Sequence, residues 1–179
     1  MNTDIDHILL TEEQITKRVN ELAQSLNKKY HGKNVLCICI LKGSTIFFSD
    51  LIRKLNFPVQ FDFMVVSSYA NSTVSSGVLN IKKDLEQSVE NKHIIVIEDI
   101  LDTGNTLKHL KKELLSRNPA SFAICCLLDK PSRRTAEITA DYIGFTIPDK
   151  FVVGYGLDFN ENYRHFPYIG VLKSECYEK

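Results

Sequence analysis

The residues with the most chemistry in this chain crowd into one stretch. Residues 94–107, IIVIEDILDTGNTL, set four apolar residues directly before Glu98 and Asp99, place a third acid at Asp102, and continue as Thr103, Gly104, Asn105 and Thr106. A Thr-Gly turn opening a helix offers backbone N–H groups that have no intrahelical partner, and the helix dipole favours an anion there. Gly104 lets the backbone come close to a ligand, and Thr103 and Thr106 add hydroxyl donors. That is a phosphate cradle. Two adjacent acids at a strand end suit something else, either vicinal hydroxyls or a hydrated Mg²⁺, which takes oxygen ligands. A sugar phosphate presents both needs a few ångströms apart. The competing reading is an ordinary strand-to-helix connection with solvated acids. The succession of apolar strand, Glu-Asp, Asp-Thr-Gly and helix is too specific for that.

The rest of the chain must position these groups. At 179 residues it is long enough for one domain with a real core, 1–179. Its 22 basic and 22 acidic residues cancel, which gives no electrostatic reason to expect a nucleic acid partner. The first residues, MNTDIDHILL, are acidic and do not read as a signal peptide, and no run is long enough to span a bilayer. A cytoplasmic protein without a membrane partner is the expectation. Of five cysteines, Cys37, Cys39, Cys125 and Cys126 fall in apolar runs and Cys176 does not. None forms a C-x-x-C pair, so buried reduced thiols are expected rather than zinc or disulfides. The five histidines share no ligand spacing.

Residues 11–30 open with a capping box, Thr11 and Gln14, and then space Ile15, Val19, Leu22 and Leu26 as one face of a helix. NVLCICI (34–40) reads as a buried strand, after which Ser44 is expected to cap a second helix with Ile46, Phe47, Leu51 and Leu55 inward, before Pro58. VQFDFMVVSSY, IIVI, SFAICCLL, ADYIGF and FVVGY supply further strands. Between the second and third of these, Leu107, Leu110 and Leu114 mark a helix. Apolar strands alternating with helices imply an α/β fold with a mainly parallel twisted sheet covered on both faces. In such sheets ligands bind beyond the carboxyl ends of the strands, where Glu98 and Asp99 are expected to lie.

VIEDILDTGNTL resembles the phosphoribosyl-pyrophosphate (PRPP) motif of type I phosphoribosyltransferases. From ILKGS to NYRHFPYIGVL the chain is similar to their hypoxanthine-guanine branch, with several motifs in the same order. The resemblance implies that family's fold, with a core over roughly 30–145 and a small hood from the N-terminal segment and roughly 146–179. It implies PRPP and 6-oxopurine bases, hypoxanthine and guanine, as substrates, Mg²⁺ as cofactor, and a homodimer or homotetramer. Glu98, Asp99, Asp102, Thr103, Gly104, Asn105 and Thr106 would bind the phosphate and ribose of PRPP, Asn105 through its backbone. Leu41, Lys42 and Gly43, commonly with a cis Leu-Lys peptide, would bind pyrophosphate together with Arg164. Lys130 would hydrogen-bond the purine 6-oxo group, Phe151 would stack on the base, and the Val152 backbone would meet its edge. Asp158 would complete the purine site and, with Glu98 and Asp99, hold metal. Asp102 would be the general acid/base. Ser68 and Tyr69 would belong to a lid. Gly156, in GYGLD, departs from the family's pattern, a change expected to loosen the base pocket slightly.

The reaction so implied moves phosphoribose from PRPP to N9 of a 6-oxopurine and releases pyrophosphate. Two rivals remain at this level. One is a PRPP-responsive regulator of the same fold that binds RNA, which would be expected to carry a basic face. The other is a phosphoribosyltransferase for another base, such as xanthine. A P-loop kinase is excluded, because LKGST lacks the G-x-x-x-x-G-K-[ST] spacing.

Overall fold

The structure, a computed structural model, describes residues 3–68 and 79–177. Its centre is a six-stranded sheet in the order β4-β3-β2-β5-β6-β7. These strands are β2 (Val35–Leu41), β3 (Val59–Ser68), β4 (Leu79–Lys83), β5 (His93–Leu101), β6 (Ser121–Asp129) and β7 (Tyr142–Thr146). All neighbours run parallel except β3 and β4. A second sheet joins both ends of the described chain antiparallel. In it β9 (Ile169–Leu172) lies between β1 (Ile5–Leu10) and β8 (Val152–Val153). Neither β1, β4 nor β9 is legible as a strand in the sequence. β1 is half polar, and its partner lies over 160 residues away, with Ile5 opposite Leu172.

The helices are α1 (Glu12–Lys29), α2 (Thr45–Ile52) and α3 (Asn105–Ser116). The expected capping box closes α1, with Gln14 N donating to Thr11 Oγ1 at 3.3 Å and Thr11 N to Gln14 Oε1 at 2.8 Å. Ile15, Val19, Leu22 and Leu26 face inward as their spacing demands. Strand alternation then sorts the core into two halves. Cys37, Cys39, Ile95, Ile97 and Cys125 point to the α1/α2 side, and Leu36, Ile38, Ile94, Val96 and Cys126 to the α3 side. Burial pushes the Cys37 and Cys39 thiols up to about 12 and about 11. They stay protonated and pack as small apolar groups.

Polar clamps fix the margins. The Arg18 guanidinium donates to the Gly144 and Ile143 carbonyls at 2.7 and 2.8 Å, docking α1 on β7. Buried Asp62 accepts the N–H groups of Phe63, Glu86 and Gln87, tying β3 to the segment before β5. Among the described residues no helix is long and apolar enough to cross a membrane.

Leu26 is completely buried in the larger of the two core halves. Leu26→Ala is therefore expected to cost about 2–5 kcal/mol of unfolding free energy. Urea denaturation with an unchanged slope and a lowered midpoint would show it; an unmoved midpoint would mean that α1 is not part of the cooperative core.

Candidate active site

The carboxyl ends of β2 and β5 meet at the top of the sheet. β2 ends at Leu41, and the Leu41–Lys42 peptide that follows is cis. Gly43 comes next, and a Cβ there would lie 1.6 Å from Asp99 Oδ2. Only glycine fits. Gly156, at φ +103°, presses on the same turn, since its Cβ would lie 2.0 Å from the Gly43 carbonyl oxygen. Gly156 therefore does not loosen the base pocket as expected. It seats the 151–164 segment on the Lys42-Gly43 turn.

Ser44 departs from its expected role as a cap. It precedes α2 in helical conformation, makes no capping bond, and donates from Oγ to the Ile40 carbonyl at 2.6 Å. Its hydroxyl is buried and committed to the Ile40 carbonyl, so it is not offered to the first turn of α2. β5 likewise runs longer than its apolar letters suggest. Glu98 and Asp99 lie within the strand rather than beyond it, with Glu98 opposite Cys126 and the ladder continuing to Leu101. Strand alternation alone would hide one of the two, but both line the same hollow.

Burial, and after it the adjacent Asp99 carboxylate, holds Glu98 well above the usual carboxylate range. Asp99 is raised by burial too, against the N–H of Ile100, which donates to its Oδ1 at 2.7 Å. Glu98 Oε2 is buried without a hydrogen-bond partner. Such a pair has strong reason to meet hydroxyl donors or a cation.

After β5, the chain turns through Asp102, Thr103 and Gly104 into α3. Gly104 takes φ +83°, and its missing Cβ leaves space that Ile138 Cγ2 and Arg134 Cδ fill. Arg134, which sequence reasoning missed, holds this turn from below. Its Nε donates to the Asp102 carbonyl at 2.9 Å, its Nη1 to Ile138 O at 2.8 Å, and its Nη2 to Leu101 O at 3.0 Å and to the Asp129 carboxylate. Thr103, Gly104 and Thr106 line the hollow. Asn105 does not: its amide turns to Thr135 Oγ1 at 3.2 Å.

This first hollow, about 420 Å³, also includes Leu41, Lys42, Gly43, Asp158 and Arg164. A second, about 520 Å³, adjoins it and is lined by Lys130, Phe151, Val152 and Asp158, together with Arg133 and Tyr177. The two share Asp99, Ile100, Asp102 and Asp158. In the second hollow buried Lys130 donates to the Lys150 carbonyl at 2.9 Å and lies 3.7 Å from Asp149. Phe151 is more than a third exposed and carries Tyr177 stacked on one face, ring centroids 4.9 Å apart. Asp102 Oδ1 lies 3.1 Å from Arg133 Nε, yet is buried with no directed hydrogen bond. Arg133 and Tyr177 carried no sequence signal, because each is recruited from a segment whose local pattern is unremarkable.

A charge network closes the first hollow. Arg164 Nη1 pairs with Asp158 Oδ1 at 2.8 Å and donates to the Gly156 carbonyl at 2.8 Å. Lys42 Nζ reaches Glu161 Oε2 at 3.1 Å. Ser68 ends β3 with its backbone opposite Leu79, while Tyr69 lies outside the described residues. Among the described residues no three His, Cys, Asp or Glu side chains converge closely enough to hold a metal unaided. Glu98, Asp99 and Asp158 are thus not a closed cage.

The chain matches the model of the phosphoribosyl transferase domain over residues 7–160. It is 52% identical to a hypoxanthine-guanine phosphoribosyltransferase of Staphylococcus aureus (strain Mu50), over 99% of each chain. It is 49% identical to the protein of the same name from Streptococcus pneumoniae (strain R6), over 99% of this chain and 98% of that one. The crystal structure of a hypoxanthine phosphoribosyltransferase from S. aureus superposes with a TM-score of 0.95 at 51% identity, covering both chains completely.

The Gly43–Asp99 contact leaves no tolerance for a side chain. Gly43→Ala is expected to displace the Asp99 carboxylate and to destabilise the fold by about 1–3 kcal/mol through overpacking. Thermal denaturation reads this directly, and a midpoint equal to that of the parent would mean that Asp99 swings aside freely.

Proposed function

The chain belongs to the phosphoribosyl transferase family, in its hypoxanthine-guanine branch, and we propose that the two joined hollows perform that branch's reaction with the residues named above. The chain transfers phosphoribose from PRPP to N9 of hypoxanthine or guanine, giving IMP or GMP and pyrophosphate. The observation that carries the assignment of residues is that the two hollows meet at Asp99, Ile100, Asp102 and Asp158. A sugar placed there has its phosphate toward α3, its pyrophosphate toward the Lys42-Gly43 turn, and its reacting carbon toward the base.

The 5′-phosphate sits on the turn of Thr103, Gly104 and Thr106, at the positive end of α3. Glu98 and Asp99 receive the ribose hydroxyls, which gives the unpartnered Glu98 Oε2 a donor. Lys42 and Arg164 face the pyrophosphate and offset the charge that develops on it as the bond to C1′ breaks. In the second hollow Phe151 lies against the purine and the Val152 backbone meets its edge. The Lys130 ammonium has three donors, of which Lys150 O takes one, so a donor remains for the 6-oxo group. An adenine amino group would meet that donor with another donor.

As N9 forms its bond to C1′, the purine must lose a proton. Asp102 stands at the junction with an oxygen that has no directed hydrogen bond, and it accepts this proton near N7. The protein otherwise supplies alignment, which accounts for the rigid seating of both turns.

Mg²⁺ is part of the proposal. Glu98, Asp99 and Asp158 provide only oxygen donors, as this hard cation requires, and a site of few carboxylates completed by substrate oxygens is its usual form. Held by them, it would supply positive charge against the pyrophosphate. A homodimer or homotetramer and a cytoplasmic location belong to the same reading.

Pyrophosphate release from PRPP, measured with hypoxanthine, guanine, xanthine, adenine and uracil in parallel, tests this function. Hypoxanthine and guanine should turn over, with adenine about 100-fold slower or worse. PRPP binding without turnover on any base would instead indicate a regulator. Asp102→Asn is expected to lower kcat by about 100-fold or more with KM for PRPP changed only a few-fold. Parallel losses in binding and turnover would remove Asp102 from the proton-transfer role.

A further inference from the structure

Both cations assigned to pyrophosphate are already engaged, and by the same side chain. Glu161 Oε2 lies 3.1 Å from Lys42 Nζ and 3.3 Å from Arg164 Nη2. Neither motif partner nor site role was read for Glu161 in the sequence. We propose that Glu161 is an internal counter-anion for the pyrophosphate site, which the incoming pyrophosphate must displace from Lys42 and Arg164 and which returns as that product leaves. The inference rests on the assignment of Lys42 and Arg164 to pyrophosphate.

The carboxylate is placed rather than drifting. Phe159 and Asn162 exchange backbone hydrogen bonds of 3.2 and 3.0 Å, closing a tight turn around residues 160 and 161. Asn160 and Glu161 both take left-handed φ, +50° and +64°. Two successive left-handed residues form the tip of a primed two-residue turn, and from this tip the Glu161 carboxylate comes within ion-pair distance of Lys42 and Arg164. The Glu161 N–H also donates to Asp158 Oδ2 at 2.8 Å, so the turn is fastened to the wall of the site itself.

The side chains of Lys42 and Glu161 are about two-thirds exposed, at 66% and 65%. Exposure is what makes displacement feasible: a water-exposed ion pair contributes little, so a multiply charged ligand that reaches both cations outcompetes a single carboxylate. A buried pair would lock the site. The consequence is a weaker hold on pyrophosphate than two free cations would give, and hence easier release of the leaving group after transfer. Arg164 keeps its second partner, Asp158, throughout, so its guanidinium stays in position while Glu161 exchanges.

The test is calorimetric titration of inorganic pyrophosphate into the whole chain in magnesium-containing buffer, comparing the parent with Glu161→Gln, Lys42→Gln, Arg164→Gln and the double variant Lys42→Gln/Glu161→Gln. Glu161→Gln should tighten pyrophosphate binding by about two- to ten-fold, the range expected for release of one or two exposed ion pairs. It should also steepen the dependence on salt, with the melting temperature unchanged. In the Lys42→Gln background the gain should shrink, because one of the two cations is gone. Unchanged or weaker binding by Glu161→Gln, while Lys42→Gln and Arg164→Gln weaken it, would overturn the counter-anion and leave the pyrophosphate site standing. Unchanged binding in all three single variants would overturn both.

Discussion

Between the ends of β2 and β5 the Gly43 backbone packs against the Asp99 carboxylate with no space for a methyl group, and Gly156 presses on the Gly43 carbonyl from the other side. Three chain segments far apart in sequence are held at backbone distance. Every other feature of the groove is measured from this contact. Raising the Lys42-Gly43 turn, turning Asp99 from the floor or sliding the segment that carries Asp158 and Arg164 would each disturb this packing. The acid pair, the turn with its lysine and the arginine therefore face one volume at fixed separations.

Holding such a junction has an electrostatic cost that the surrounding structure offsets in two ways. Beneath the phosphate turn, Arg134 gives its donors to three backbone carbonyls and to Asp129. The Asp102 carbonyl in the tight turn thereby gains a donor, while the Asp102 carboxylate faces Arg133 at the junction. Within the groove, the charges that meet the ligand are paired loosely or left unpaired. Glu98 Oε2 and Asp102 Oδ1 lack directed hydrogen bonds. Lys42 and Arg164 share an exposed partner in Glu161. Full satisfaction supports the scaffold, and partial satisfaction marks the working face.

The second hollow follows a different logic. Its walls combine the side chains of Phe151, Val152, Leu157 and Tyr177 with charged groups, among them Lys130, Arg133, Asp102 and Asp149. A flat, weakly polar base needs area more than charge. Lys130 is buried and tethered to the Lys150 carbonyl, which sets its direction. On the proposed reading, the residues common to both hollows lie where the transferred carbon passes.

The sequence by itself determined the local elements and the chemical character of the site. The apolar runs of β2, β5 and β6, the capping box and inward face of α1, and the Asp-Thr-Gly turn into α3 are all short-range patterns, in which each residue's neighbours in the chain decide its state. Residue types at 41–43, 98–106 and 151–164 were legible for the same reason, each falling in a compact motif. Tertiary structure alone decided what depends on distant partners. The hood exists because β1 finds β9 across nearly the whole chain, which no local pattern in IDHILL reveals. β5 continues through Glu98 and Asp99 because β6 supplies ladder partners beyond the apolar letters. Asn105, Arg134 and Glu161 likewise took their roles from long-range contacts: Asn105 was drawn to Thr135, and Arg134 and Glu161 found groups that meet only in the folded chain. Hydrogen bonding and packing across the fold are many-body conditions, and a residue's spacing to its neighbours in the chain does not encode them.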